Sequence, residues 1–139
     1  MVCIICGETT HIINSRRQVR LNSTWRRRKC EKCHAIFTTI ESADLSSNWL
    51  IDKENGVLEP FLQEKLFLSI YESCRHRMTA IEDSKYLTTN VIAQLKSYIK
   101  NGVIKTRSIT NTTGTALNRF DNVAAVHYLA FHKTVDAKK

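Results

Sequence analysis

The 139-residue chain carries a formal net charge of +8, and 42% of its residues are hydrophobic. This length allows one ordinary domain or two small ones and excludes a large enzyme, while the hydrophobic fraction excludes a disordered tail. No apolar run reaches the roughly 18 residues that a membrane-spanning helix needs, so we expect a cytoplasmic protein that makes no membrane contact.

Four cysteines form two short motifs of the same spacing, Cys3-x-x-Cys6 and Cys30-x-x-Cys33, with 23 residues between them. A two-residue gap lets both sulfurs of a motif reach one metal ion, and four thiolates complete the tetrahedral shell that Zn²⁺ prefers. Gly7 follows the first motif, where a tight turn favours a residue that accepts positive φ. In a reducing cytoplasm such pairs hold metal more often than they form disulfides, so the spacing predicts one structural Zn²⁺ per chain.

The cysteines also allow other interpretations. Cys30-x-x-Cys33-His34 fits the haem-attachment pattern, although covalent haem would leave Cys3 and Cys6 unused. A redox dithiol needs only one pair and usually a βαβ context, and four unrelated buried cysteines are disfavoured by the repeated spacing. His34 could replace one cysteine as a ligand, but four thiolates already close a structural site and favour His34 as a surface residue.

Positive charge concentrates between the two cysteine motifs. From His11 to His34 there are eight basic residues and one acidic residue, a net charge of +7, whereas the rest of the chain is nearly balanced. A solvated basic face is the plain alternative, but the single acid and the adjacent metal motif favour a nucleic-acid surface. We therefore expect a nucleic-acid partner, contacted by Arg16, Arg26, Arg27, Arg28 and Lys29.

Short β-prone runs at His11–Asn14 and Ala35–Ile40 indicate a small zinc ribbon over residues 1–46. So small a unit buries too little surface to fold unaided, and zinc binding supplies the missing free energy. If the triplet Arg26–Arg28 lies on a strand, its first and third arginines project to one face and its second to the other. Trp25 can stack on a base or sugar, but packing against the ribbon is the more common role of such a residue.

The pattern changes after residue 46. Asn55-Gly56 between two β-prone runs predicts a β-hairpin, and Pro60 suits the first turn of a helix. Apolar spacing predicts four helices. They are Phe61–Arg75, Ile81–Lys100, one capped by Thr106 or Ser108 that runs through Leu117 and Phe120, and one capped by Asp121 or Asn122 that runs through Val123, Val126 and Ala130. Residues 48–136 are thus expected to form one small core. The expected fold class is α+β, with a small β zinc ribbon followed by a mainly helical domain that carries a hairpin.

The first part of the chain contains four motifs in a fixed order. They are Cys3-x-x-Cys6, Asn14-Ser15-Arg16, Arg26-Arg27-Arg28-Lys29-Cys30-x-x-Cys33 and Phe37-Thr38-Thr39-x-Glu41. Together they resemble the zinc ribbon of the NrdR family of bacterial repressors, the module that the family uses to bind operator DNA.

The second part carries one longer motif and a short one near the C-terminus. They are Ile51-x-Lys53-x-x-Gly56-x-x-Glu59-Pro60-Phe61-x-x-x-Lys65-Leu66 and Asp121-x-Val123-Ala124-x-Val126. Both are similar to the ATP-cone, the second module of that family. The resemblance implies a zinc-dependent repressor of ribonucleotide reductase genes in the bacterial cytoplasm. Its ATP-cone would bind ATP or dATP, and the size of its homo-oligomer would depend on the nucleotide.

The resemblance also implies a nucleotide site on the hairpin and the first helix. Lys53 and Lys65 would bring two ammonium groups to a polyphosphate, and Ile51 would form an apolar wall for adenine. Glu59 would meet a ribose hydroxyl, a lysine or Mg²⁺. The expected nucleotide-binding residues are Ile51, Lys53, Gly56, Glu59, Lys65 and Thr106.

Two other classes of function compete with a repressor. A zinc-ribbon accessory factor for RNA or RNA polymerase would use the same basic ribbon but would have no need of Lys53 and Lys65. An enzyme is disfavoured, because the sequence shows no Ser/His/Asp or Cys/His arrangement and no Gly-rich phosphate loop, and a four-thiolate zinc is closed to water. We therefore expect no catalytic residues.

Overall fold

The computed structural model describes residues 1–53 and 55–132. The chain divides into two compact units, Met1–Ala43 and Asp44–Lys139, each with a sheet of its own. The boundary lies earlier than the predicted residues 46–48. The reason is that Leu45 packs against the core of the second unit, and its carbonyl accepts hydrogen bonds from the N–H groups of Asn48 and Trp49.

The first unit is a three-stranded antiparallel sheet in the order β1-β2-β3. The strands span Thr10–Gln18, Ser23–Cys30 and Ile36–Ser42. The β-prone runs at either end of the basic segment thus become the outer strands, and the arginine triplet lies in the central one. Because β2 pairs on both sides, strand register fixes its side chains: Arg27 stands opposite Asn14 on β1 and Thr38 on β3.

The second unit has a three-stranded sheet in the order β5-β4-β6, formed by Leu50–Asp52, Leu58–Pro60 and Val103–Lys105 as β4, β5 and β6. β4 and β5 form the predicted antiparallel hairpin, and Gly56 takes a φ of +78° in its turn. β6 runs parallel to β4. β6 was not predicted from the sequence, because three residues are too few to show an alternating pattern.

The described residues of the second unit form the four predicted α-helices, α1 Gln63–Cys74, α2 Ala80–Leu95, α3 Thr106–Phe120 and α4 Asn122–Phe131, and β6 lies between α2 and α3 in the chain. The helical role of Pro60 was wrong. Pro60 ends β5, an edge strand, where a residue without an N–H is tolerated. The predicted end of α2 at Lys100 was also wrong, because Lys100 instead forms a bridge with Val103 around the turn at Asn101-Gly102.

Of the caps predicted for α3 and α4, Asp121 is confirmed and Thr106 is wrong. Asp121 caps α4, and its carboxylate accepts hydrogen bonds from the N–H groups of Val123 and Ala124. Thr106 does not cap α3. It is the first residue of that helix, and its Oγ1 donates to the carbonyl of Asp52 at 3.0 Å. The side chain therefore ties α3 to the end of β4 instead of closing the helix.

The predicted helix through Val123, Val126 and Ala130 is present as α4, but these three residues do not form its buried face. Val123 and Val126 are 62% and 63% exposed, whereas Ala124, Ala125 and Tyr128 face the core. The helix is apolar on every side, so its periodicity does not identify the buried face. No helix in the described part of the chain is long and apolar enough to cross a membrane.

An ionic cluster joins three of the helices. Arg77, just after α1, contacts Asp83 of α2 at 2.8 Å and Asp121 at the start of α4 at 2.9 Å. The Arg77 guanidinium also lies 4.7 Å from the centre of the Phe120 ring. His76 adds a contact of 3.1 Å to Asp121. These contacts fix the ends of α1 and α4 beside the core, whose largest fully buried side chains are Phe61, Ile70, Leu95, Ile104 and Leu117.

Candidate metal centre and binding surfaces

The four cysteines of the two motifs meet at one end of the ribbon sheet. Their sulfurs all lie within 4.8 Å of one another, with Cys6 at 3.5 Å from both Cys30 and Cys33 and Cys3 at 3.6 Å from Cys33. Four sulfurs at about 2.3 Å from one tetrahedral zinc stand roughly 3.8 Å apart. The donor set and its spacing therefore fit Zn²⁺.

The backbone of each motif supports its thiolates. Ile5 N–H donates to Cys3 Sγ and Cys33 N–H donates to Cys30 Sγ, both at 3.4 Å. The bond from Cys33 N–H is the main reason that the pKa of Cys30 falls to about 6. Although the N–H of Ala35 lowers the pKa of Cys33, the nearby Cys6 sulfur, burial and the other thiols raise it to about 12. Sulfurs this close cannot all ionise without a cation among them.

The residues after the two motifs share an unusual backbone conformation. Gly7 has a φ of +76°, and His34 has a φ of +57°. The positive φ expected at Gly7 therefore occurs after both motifs. At His34 it is adopted by a residue with a Cβ, for which this left-handed conformation is unfavourable. His34 is exposed and is not among the residues of the sulfur cluster.

Alternation along the ribbon strands gives the sheet two different faces. We name them the open face and the paired face. The open face carries Arg16, Trp25, Arg27, Lys29, Ile36 and Ile40. The paired face carries Arg17, Arg26, Arg28, Phe37, Thr39 and Glu41.

Two of the three cations of the paired face, Arg26 and Arg28, have partners within the sheet, whereas Arg17 is exposed and forms no ion pair with any described residue. Arg26 Nη2 contacts Glu41 Oε2 at 2.7 Å, and Arg28 Nε donates to Thr39 Oγ1 at 3.3 Å. On the open face, Arg16, Arg27 and Lys29 form no ion pair with any residue that the structure describes. The five basic residues that the sequence analysis grouped as DNA-binding are therefore divided between two surfaces.

A second cluster lies where β4, β5 and α3 meet. Lys53 Nζ contacts Glu59 Oε1 at 2.7 Å across the hairpin, and Ile51 pairs in register with Glu59 on one side and Ile104 on the other. Thr106 joins this cluster through its bond to the end of β4. Four of the expected nucleotide-binding residues thus come together, Gly56 lies in the adjacent turn, and Lys65 is exposed on α1.

Charges around Glu59 are positive on balance. The pKa of Glu59 is lowered, first by the hydrogen bond from Lys53 and then by the charges of Lys53 and Lys65. Glu59 is therefore a carboxylate near two ammonium groups, and the side chains of Lys53 and Glu59 are 45% and 37% exposed. A surplus of positive charge at an accessible edge suits a polyanionic ligand.

Both units have counterparts in known proteins. Residues 1–41 match the domain family described as Transcriptional repressor NrdR-like, N-terminal domain. A protein named Transcriptional repressor NrdR from Corynebacterium glutamicum strain R is 33% identical over 142 residues, which cover 99% of this chain and 89% of the relative. The chain belongs to the NrdR family. Proteins of the same name from Staphylococcus saprophyticus and Tropheryma whipplei are 30% and 29% identical and cover 96% and 99% of the chain.

Membership of the NrdR family accounts for the α+β fold and for the four-cysteine zinc ribbon. The matched ribbon domain contains all four cysteines and nearly the whole β1-β2-β3 sheet. The longer alignments extend through the helical unit, so the resemblance to the NrdR family is confirmed over nearly the whole chain.

The structure also shows a polar cleft that the sequence analysis missed. It has a volume of about 310 Å³ and lies between the end of α2 and α3. Arg107, Asn111 and Thr115 line it from successive turns of α3, with Arg119 beyond them. Their four-residue spacing is the signal in the sequence that places these polar side chains on one face of the helix.

Proposed function

We propose that this NrdR-family protein is a zinc-dependent, nucleotide-sensing repressor that binds double-stranded DNA at the promoters of ribonucleotide reductase genes. The observation that carries the proposal is the presence of two separate cationic sites in one chain, the ribbon and the Lys53–Glu59 cluster. An accessory factor for RNA polymerase would need only the ribbon. The name of its relatives, transcriptional repressor, supports the DNA-binding role.

In this proposal zinc has a structural role. Cys3, Cys6, Cys30 and Cys33 hold one ion, which fixes the turns at one end of the sheet and supplies folding free energy to a unit with few buried apolar residues. The adjacent strands then present their cations in fixed register. Preordered guanidinium groups lose less entropy when they bind phosphates.

The second unit binds ATP or dATP, with Mg²⁺. Lys53 and Lys65 contact the phosphates, and Ile51 and Thr106 lie at the edge of the nucleotide. Glu59 is paired with Lys53. When a phosphate binds Lys53 and displaces Glu59, the carboxylate is free to bind a ribose hydroxyl or Mg²⁺. The two nucleotides control DNA binding only if they bind different homo-oligomers with unequal affinity, since equal affinity shifts no equilibrium.

Calorimetry of the zinc-loaded protein with ATP and with dATP tests this function. We expect both nucleotides to bind, Lys53→Ala to weaken them at least tenfold, and Lys85→Ala, a matched exposed lysine on α2, to bind like the unchanged protein. Light scattering at several protein concentrations should give different masses with the two nucleotides. No heat with either nucleotide, or the same mass and DNA affinity in every state, would contradict the proposal.

A further inference from the structure

The two faces of the ribbon sheet offer a DNA duplex different surfaces. Both carry three basic side chains, so the number of cations alone does not distinguish them. They differ in the partners of those side chains and in what lies between them. These differences are the basis for choosing the face that contacts DNA.

We propose that the open face is the DNA-contacting surface of the ribbon and that the paired face points away from the duplex. The proposal rests on the proposed function, in which the ribbon binds DNA. Arg16, Arg27 and Lys29 then contact phosphates or base edges, and Arg26 acts as a positioning residue within the sheet. From the sequence alone, Arg26 and Arg28 were also predicted to contact DNA, and the present proposal assigns them to the other face.

Charge complementarity favours the open face. Glu41 lies on the paired face with 68% of its side chain exposed, and a phosphate backbone placed there would meet a carboxylate. Arg26 would also have to give up its contact with Glu41 before it could bind a phosphate. The described strands place no acidic residue on the open face, and Glu31, just beyond β2, interacts with Thr9 and His11.

Apolar exposure also favours the open face. Ile36 and Ile40 of β3 are 50% and 65% exposed there, and Ile40 stands opposite the half-buried Trp25. On the paired face Phe37 is half-buried like Trp25, and Ile12 is 41% exposed, less than either isoleucine of the open face. Exposed aliphatic side chains beside cations fit the thymine methyl groups and sugars of a duplex, which a purely solvated surface does not require.

Matched alanine substitutions on the two faces test the proposal, because each removes one positive charge. Arg16→Ala and Arg27→Ala change the open face, while Arg17→Ala and Arg28→Ala change the paired face. The probe is a fluorescein-labelled mixed-sequence duplex, titrated at several salt concentrations with zinc-loaded protein in the presence of ATP, of dATP and of neither. Zinc content shows that each variant retains its ribbon.

We expect each open-face substitution to weaken binding several-fold and to reduce the salt slope by roughly one unit. Each paired-face substitution should leave the slope nearly unchanged. Equal effects on both faces, or larger effects on the paired face, would overturn the choice of face while leaving DNA binding intact. Failure of the unchanged protein to bind the duplex in any nucleotide state would instead overturn the proposed function itself.

A second readout does not depend on charge. The chain has two tryptophans, and in the Trp49→Phe variant Trp25 on the open face becomes the only indole. Saturating duplex should change the Trp25 emission, and Ile40→Ser should weaken binding with no change in salt slope. Unchanged emission at saturation, or tighter binding to a single-stranded RNA of the same sequence, would overturn the assignment of a duplex to this face.

Discussion

Arg26 and Glu41 join β2 to β3 by an ion pair of 2.7 Å, with their side chains 29% and 68% exposed. A pair this open to water contributes less than about 1 kcal/mol. We expect Glu41→Gln to lower the free energy of unfolding of the zinc-loaded ribbon by no more than that and to leave the salt slope of DNA binding unchanged. Urea unfolding followed by Trp25 fluorescence in the Trp49→Phe background gives the first quantity. A slope change as large as that of Arg27→Ala would place Glu41 beside the duplex.

Loss of one thiolate should unfold only the first unit. We expect Cys30→Ser to lose its zinc and the ordered ribbon while the far-UV helical signal persists, because the helical core contains none of the four ligands. Cys74→Ala is the control, since Cys74 is buried in α1 and is not one of the four ligands. This variant should retain one zinc per chain. Metal analysis and circular dichroism make the comparison. Less than half an equivalent of zinc in the unchanged protein, or a haem absorption band, would contradict the metal site.

Acid should weaken the helical unit through Asp121. The N–H of Ala124, followed by His76 and Arg77, lowers the pKa of this carboxyl from 3.8 to about 2. A depressed pKa stabilises the fold above the unfolded-state value, and this contribution is lost as the pH falls from about 4 to 2. Asp121→Ala should therefore lower the free energy of unfolding by about 1 to 2 kcal/mol at neutral pH. The variant should also lose less stability than the unchanged protein as the pH falls from about 4 to 2.

Urea unfolding between pH 7 and pH 2 measures this effect. Glu82→Gln is the matched control, since Glu82 is an exposed acid in the first turn of α2. If Asp121→Ala loses as much free energy of unfolding on acidification as the unchanged protein does, other carboxylates are responsible for the acid sensitivity.

Relief of the left-handed backbone at His34 should stabilise the ribbon. Glycine accepts a φ of +57° without the clash of a Cβ, so we expect His34→Gly to raise the stability of the zinc-loaded ribbon by roughly 0.5–1 kcal/mol. His34→Ala keeps the Cβ and removes the imidazole, and it should stay close to the unchanged protein in both stability and zinc content. Loss of zinc in both variants would show that His34 is a ligand.

The features that could be predicted from the sequence are those whose signal is local. The spacing within Cys3-x-x-Cys6 reflects the reach of two sulfurs around one ion, and Asn55-Gly56 reflects the backbone angles of a tight turn. Both patterns can be recognised without knowledge of the rest of the fold. The apolar spacing of Leu62, Leu66 and Ile70 predicts one face of α1 on the same basis, since an amphipathic period is visible within one helix. Leu66 and Ile70 are buried, but Leu62 is 37% exposed because it precedes the first turn of the helix.

The features that could not be predicted depend on distant partners. Glu41 neutralises Arg26 only because the register of β2 and β3 brings them together, and nothing near Arg26 in the sequence reports this. Thr106 looks like a helix cap until β6 places it beside the carbonyl of Asp52. In α4 apolar residues lie on every side of the helix, so contacts with neighbouring helices decide which of them are buried.

The position of β4 between β5 and β6 limits how the chain can be shortened. Leu50 pairs with Pro60 on one side and with Val103 on the other, so the central strand is completed by residues that follow α2. A fragment that ends after α2 would leave one side of β4 as a bare edge with unpaired N–H and C=O groups. Such an edge is a template for strand pairing between copies, and the truncated protein would aggregate rather than survive as a smaller nucleotide-binding unit.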